Sequence, residues 1–198
     1  GTHTGTVTFT NLNGAPAPVA ITVTQNLNDP GDTPIEPPET GITGQDGDNR
    51  KWTVTQVLPG TSLNGVWGSS SKNIYVVGAA GTILKSEGQK WNAMDSGSSN
   101  ALYSVWGSAE DNVYAVGDSG LVLHYDGTAW TTVAAITEET LQDVSGTETD
   151  VLAVDTFGSI LSDTLASSTE SGVALRSIWG SSDTDIFVAG EAGAVLYY

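Results

Sequence analysis

The chain has 198 residues, with 6 Lys and Arg against 23 Asp and Glu, and a net charge of −17. That balance repels phosphate backbones and anionic lipid surfaces, which argues against nucleic acid and acidic membranes as partners. Cysteine is absent, excluding disulfides and thiolate chemistry, and no apolar run approaches the ~18 residues of a spanning helix.

The chain opens directly in strand-forming sequence, as a processed or excised segment would. Residues 4–10 and 19–24 alternate polar and apolar types around the turn-forming residues 11–16. The pattern predicts a β-hairpin over residues 1–27 with Val7, Phe9, Val19, Ile21 and Val23 on one face. A lone hairpin is marginal in water, so this face is expected to serve assembly, by strand addition to another protein or to a second copy.

Residues 28–49 hold four of the seven prolines together with several acids, and read as an extended linker. Within it, Asp46 and Asp48 are the best local candidates for Ca²⁺. They lack the spaced acids and distal Glu of an EF-hand loop, so the expectation is no metal and no cofactor.

The rest of the chain repeats itself. Leu63 to Ser70 reads Leu-Asn-Gly-Val-Trp-Gly-Ser-Ser and returns from Leu102, from Leu141 and from Leu175. Trp67 to Trp106 and Trp106 to Ser145 are both steps of 39 residues. Each copy carries short β-branched and aromatic runs separated by Gly or Asp turns, and none shows helical periodicity. Four strands in about 40 residues is the size of one β-propeller blade. The expected fold is therefore all-β: about four blades, near 63–98, 102–137, 141–172 and 175–198.

The third copy is worn, with Ser145 for the first Trp and Asp155 for a strand-ending Gly. The fourth stops before its closing strand. Trp52 precedes Trp67 by 15 residues, as Trp91 precedes Trp106, so residues 50–58 read as that missing strand. Their pairing with the last blade would close the ring and hide two sheet edges, making 50–198 one propeller domain; the rival expectation is that the chain is a fragment of a longer ring of about six to eight blades.

Six tryptophans recur at fixed places. Trp67, Trp106 and Trp179 are expected to fill wedges between blades, and Trp52, Trp91 and Trp130 to pack on outer strands, because repeats reuse core positions. Stacking on sugars is the competing use. Asp111, Asp118, Asp126, Asp150, Asp183, Asp185 and Glu191 fall between strands, where turn formation is the default role. His124 shares its place with Lys85, Ser162 and Tyr197, which reads as a solvent-facing position; the only other histidine, His3, is far off in sequence, so no zinc pattern forms. No nucleophilic triad, P-loop or dinucleotide fingerprint is present, so no catalytic residue is assigned.

Val-Trp-Gly-Ser-Ser and the following Gly-x-x-Gly-x-Ile-Leu-x-x-x-Gly-x-x-Trp resemble the Trp-Gly-Ser-rich β-propeller repeats of secreted and surface bacterial proteins. These are relatives of Asp-box sialidase-type and photosystem-II-assembly-factor-type repeats. The resemblance spans residues 50–198 and implies a fold without a common activity. Sialidase-type enzymes hold a carboxylate with a cluster of Arg, whereas only Arg50 and Arg176 occur here. Residues 1–26 resemble the last hairpin of bacterial immunoglobulin-like surface domains.

The expectation that follows is a non-enzymatic extracellular or cell-surface module with a structural or protein-binding role. Its alternatives are a filament or surface-layer subunit joined through the hairpin, and a glycan-binding or glycosidase-like protein.

Overall fold

A computed structural model describes residues 57–88, 90–133, 137–147, 150–162 and 171–198 in full. At 2–9, 19–26, 40–42, 52–54 and 169–170 it describes the backbone strands alone. Asp46, Asp48 and most of the 28–49 segment lie outside the described residues. The chain divides into two compact units, Gly1–Gly60 and Thr61–Tyr198.

In the first unit, β1 (Thr2–Phe9) pairs antiparallel with β2 (Val19–Asn26). The register sets Val7 opposite Ile21 and Phe9 opposite Val19. A second two-stranded sheet joins β3 (Thr40–Ile42) to β4 (Trp52–Val54), with Ile42 opposite Trp52. This departs from the sequence expectation. A strand stands inside the segment read as a linker, and the Trp52 strand is described as the partner of β3, which leaves ring closure unconfirmed. Loop closure gives a physical reason, since bringing 52–54 to 40–42 closes a far shorter loop than bringing it to the far end of the chain.

The second unit is built from four antiparallel sheets in succession. Blade 1 holds β5 (Leu63–Ser70), β6 (Asn73–Gly78), β7 (Ile83–Ser86) and β8 (Trp91–Met94). Blade 2 holds β9 (Leu102–Ala109), β10 (Asn112–Gly117), β11 (Val122–Tyr125) and β12 (Trp130–Val133). Blade 3 holds β13 (Leu141–Gly146), β14 (Val151–Asp155), β15 (Ser159–Ser162) and β16 (Thr169–Glu170). Blade 4 has β17 (Leu175–Ser182), β18 (Asp185–Gly190) and β19 (Val195–Tyr197), with β19 at the sheet's edge.

The same turn joins second strand to third in blades 1, 2 and 4. It is a short 3₁₀ segment whose middle residue takes a left-handed conformation: Ala80, Ser119 and Ala192, each with φ between 53° and 56°. In blade 3 the turn is held differently. Asp155 stands where the other copies have Gly, and its carboxylate accepts the Phe157 and Ser159 amides at 2.8 Å. The side chain takes over bonding that the backbone supplies elsewhere.

Consecutive first strands pack face to face: β5 on β9, β9 on β13 and β13 on β17. The leucine that opens each repeat is the clearest reporter of this packing. Leu102, Leu141 and Leu175 are fully buried, whereas Leu63, in the first blade of the row, is 41% exposed. Burying each such side chain contributes about 1.5–3 kcal/mol, and that summed term holds the blades in line.

Candidate functional site

The chemistry-bearing positions converge on the junctions between blades. Each blade turns one row of side chains toward the next. In blade 1 the row is Trp67, Tyr75 and Lys85; in blade 2 Trp106, Tyr114 and His124; in blade 3 Ser145, Leu152 and Ser162; in blade 4 Trp179, Phe187 and Tyr197.

The first junction is filled. Trp67 lies against Tyr75, ring centroids 6.2 Å apart, and its indole reaches Gly107 of blade 2. Tyr75 then meets Tyr125 and Trp130 of blade 2, with centroids at 5.8 and 6.0 Å. Its hydroxyl donates to the Glu110 carbonyl at 3.0 Å. The Lys85 ammonium sits over both tyrosine rings, 5.2 and 5.5 Å from their centroids, a cation–π contact with each. Burial, aided by the charges of Glu110 and Asp111, pushes the Tyr75 phenol up to about 12.

The second junction repeats the plan with one change. Trp106 rests on Gly146 of blade 3. His124 stacks on Tyr114 with centroids 4.5 Å apart and shares a 2.7 Å hydrogen bond with Asn112. His124 is therefore half-buried on a packing face, which corrects the solvent-facing reading of this position.

Polar bonds cross the junctions as well. Asp143 takes the place of Gly65, Ser104 and Ser177 of the other copies. Its carboxylate accepts the Ser104 hydroxyl at 2.6 Å, the Ser177 hydroxyl at 2.8 Å and the Ile178 amide at 2.9 Å. One side chain thus ties blade 3 to both neighbours. Thr147 donates to Asp183 across the third junction. Sequence reasoning passed over Asp143; the available signal was an acid inside a strand where its counterparts are Gly or Ser.

The third junction is underfilled. Leu152 replaces Tyr75, and Tyr198 stands where blade 2 has Tyr125, with no strand beyond β19 in the described part of the sheet to match Trp130's. A cavity of about 410 Å³ lies there, lined in part by Leu152, Ile160, Val188, Leu196 and Tyr198.

The tryptophans divide by location. Trp130 is buried in the outer strand of blade 2, and Trp91 is half-buried in that of blade 1. Trp179, expected to fill a wedge, is instead 57% exposed, because no further blade among the described residues covers it. Trp52 lies on β4, and Val7, Phe9, Val19, Ile21 and Val23 lie on the paired strands β1 and β2. Asp126 accepts the Thr128 and Ala129 amides and so holds its turn, and these bonds keep its carboxyl below the usual range. Among the described residues no three of His, Asp and Glu gather as metal ligands.

No family model matches the chain, and neither does any curated protein sequence. Solved structures do match in fold. The computationally designed Ika4 protein superposes with a TM-score of 0.57 at 12% identity, over 72% of this chain and 93% of that one. YCF48 bound to D1 peptide gives 0.56 at 17% identity, over 77% of this chain and 55% of that one. The WD40 β-propeller domain of Doa1 gives 0.57 at 12%, over 70% and 52%. The chain spans about half the length of the YCF48 and Doa1 structures. These likenesses show the fold: the repeat unit is a β-propeller array.

Proposed function

We propose that this chain is a non-enzymatic, extracellular or cell-surface β-propeller module that works by contact with other proteins. The observation that carries the reading is the outward face of blade 4. There Trp179, Phe187 and Tyr197 lie in one row of stacked rings, with centroids 6.4 and 6.5 Å apart, and all three are exposed. Large aromatic side chains gathered on one exposed face are the residue types that anchor protein interfaces. The indoles and phenols of the first two junctions are engaged in holding blades together, whereas among the described residues the row on blade 4 presents its aromatic surface. The YCF48 structure, a fold neighbour, is described as bound to a peptide, which agrees with this use of the fold.

Site-specific photocrosslinking tests the reading. A photoreactive side chain at Phe187, presented to the surface fraction of the native cells, should give discrete protein adducts. Those adducts should vanish when Trp179→Ala and Tyr197→Ala are combined. A glycan array that binds the chain, with no protein adduct, would instead support the carbohydrate reading. Fractionation of the same cells should place the chain outside the cytosol.

The β1–β2 sheet supports a second, finer reading. Its described part has two strands, so each presents an outer edge with no paired strand in that sheet, the kind of edge that strand addition uses. In this reading the hairpin joins subunits of a filament or surface layer. Deleting residues 1–30 should then abolish assembly while the blades stay folded.

A further inference from the structure

Phe157 breaks the pattern of its turn. The residue at the tip of the turn between second and third strands is Ala80 in blade 1, Ser119 in blade 2 and Ala192 in blade 4, each small and each left-handed. Blade 3 has a phenylalanine there, and Phe157 does not take the left-handed conformation, which a bulky side chain rarely adopts. The turn is rebuilt to allow this. The carboxylate of Asp155, itself 1% exposed, accepts the Phe157 and Ser159 amides, and the Thr156 amide donates to the Thr140 carbonyl at 3.2 Å. Gly158, with φ at 97°, is left as the one left-handed residue of the turn.

The ring held in this way is 68% exposed and belongs to none of the three core clusters. Its exposure does not come from an end of the blade row, since blade 3 packs on blade 2 on one side and on blade 4 on the other. A buried carboxylate thus fixes the backbone beneath a large side chain that adds nothing to the core. A group fixed before binding loses little freedom when a partner covers it.

The surface around the ring is acidic. Among the described residues, the turns from second to third strand and the loops leading into the next blade hold Asp95, Asp118, Glu138, Glu139 and Glu191, and no Lys or Arg. Three of these acids are tied to the Phe157 turn. Thr140, which accepts the Thr156 amide, donates its hydroxyl to Asp118 at 3.3 Å, and Glu138 and Glu139 directly precede it in the chain. Arg176, on β17, is paired with Glu191. An aromatic face attracts a cation, and so do carboxylates, so both parts of this surface select the same chemistry. A guanidinium meets both at once: it lies flat on a ring and forks to a carboxylate, which a compact ammonium does not.

We propose that Phe157, with Glu138, Glu139 and Asp118, is a docking site for an arginine-bearing segment of another protein. The site is separate from the ring row of blade 4 and does not rest on it.

Selection of a random-peptide phage library on the full chain tests this, with the affinities of enriched peptides read by fluorescence anisotropy. Enriched peptides should carry arginine. Their affinity should fall at least tenfold with Phe157→Ala, and comparably with Glu138→Gln and Glu139→Gln combined. These side chains lie at the surface, so circular dichroism should be unchanged. Trp179→Ala combined with Tyr197→Ala should leave the binding intact. A library that yields no binder, binders without arginine, or binders indifferent to Phe157→Ala would each overturn the proposal. Peptides that need Trp179 and Tyr197 but not Phe157 also overturn it, while supporting the reading of blade 4 as the contact face.

Discussion

The six-membered ring of Trp106 lies 2.1–2.5 Å from the point where a Cβ on Gly146 would stand. The residue in blade 3 must therefore be glycine because the residue in blade 2 is tryptophan. The same relationship links Trp67 to Gly107, where ring atoms stand 2.7 and 2.9 Å from that point. The Trp-Gly pair that marks three of the four repeats is thus used between blades: the indoles of blades 1 and 2 are each received by the next blade's glycine.

Truncating these indoles should cost stability in proportion to what covers them. Trp67→Ala and Trp106→Ala should each destabilise by about 3–5 kcal/mol in urea unfolding. Trp179→Ala, in dilute solution where the chain is alone, should cost less than about 1 kcal/mol, since an exposed ring leaves no cavity. Equal losses at all three positions would contradict the assignment of Trp179 to an open end.

Asp143 is expected to be the most sensitive acid. It accepts bonds from blades 2 and 4 together, so Asp143→Ala strands two hydroxyls and an amide at once. The expected loss is about 2–3 kcal/mol by urea unfolding. Asp126→Ala, which touches only its own exposed turn, should cost under about 1 kcal/mol.

Alkaline pH should weaken the fold through Tyr75. Its phenol titrates near 12 in the folded chain and near 10 when unfolded, so the unfolded state loses its proton first. The stabilisation is complete below pH 10 and disappears as pH rises from 10 to 12. Its size is on the order of 1–2 kcal/mol after solvent screening is allowed for. Tyr75→Phe should lower stability at pH 8, through the lost bond to Glu110, and should flatten the decline above pH 10. An alkaline slope that Tyr75→Phe leaves unchanged would mean that some other group drives the decline.

The repeated turn offers a stabilising change. Ala80 holds φ at 53°, a conformation that costs an L-residue about 1–2 kcal/mol and glycine almost nothing. Ala80→Gly should raise stability by about 0.5–1 kcal/mol in thermal or urea unfolding, once glycine's greater freedom in the unfolded chain is subtracted. Ala192→Gly in blade 4 should behave alike.

Much of the fold was legible in the sequence because a blade is a local object. The step from Trp67 to Trp106 and the Gly or Asp turns lie within about 40 residues, and they report four sheets in order. What faces what between blades was harder to read. His124 aligns with Lys85, Ser162 and Tyr197, a set that looks like a solvated surface until the partner blade is placed against it. Lys85 then proves to cap two tyrosine rings and His124 to stack on a third. Trp52 shows the converse. Its likeness to the Trp130 strand is real in sequence, yet the partner described for β4 is the nearer β3, since likeness names a suitable strand but not its partner. The exposed row of Trp179, Phe187 and Tyr197 was equally hidden, because a repeat motif is identical whether or not another blade follows.

A double-mutant cycle on Trp106 and Gly146 tests the blade-to-blade fit most directly, with Trp106→Ala, Gly146→Ala and the pair measured by urea unfolding. The fit predicts that Gly146→Ala is costly while Trp106 is present and nearly free once the ring is gone, a coupling above about 1 kcal/mol. Costs that simply add, to within about 0.5 kcal/mol, would mean that this indole and this glycine do not touch, contradicting the packing that builds the first two junctions.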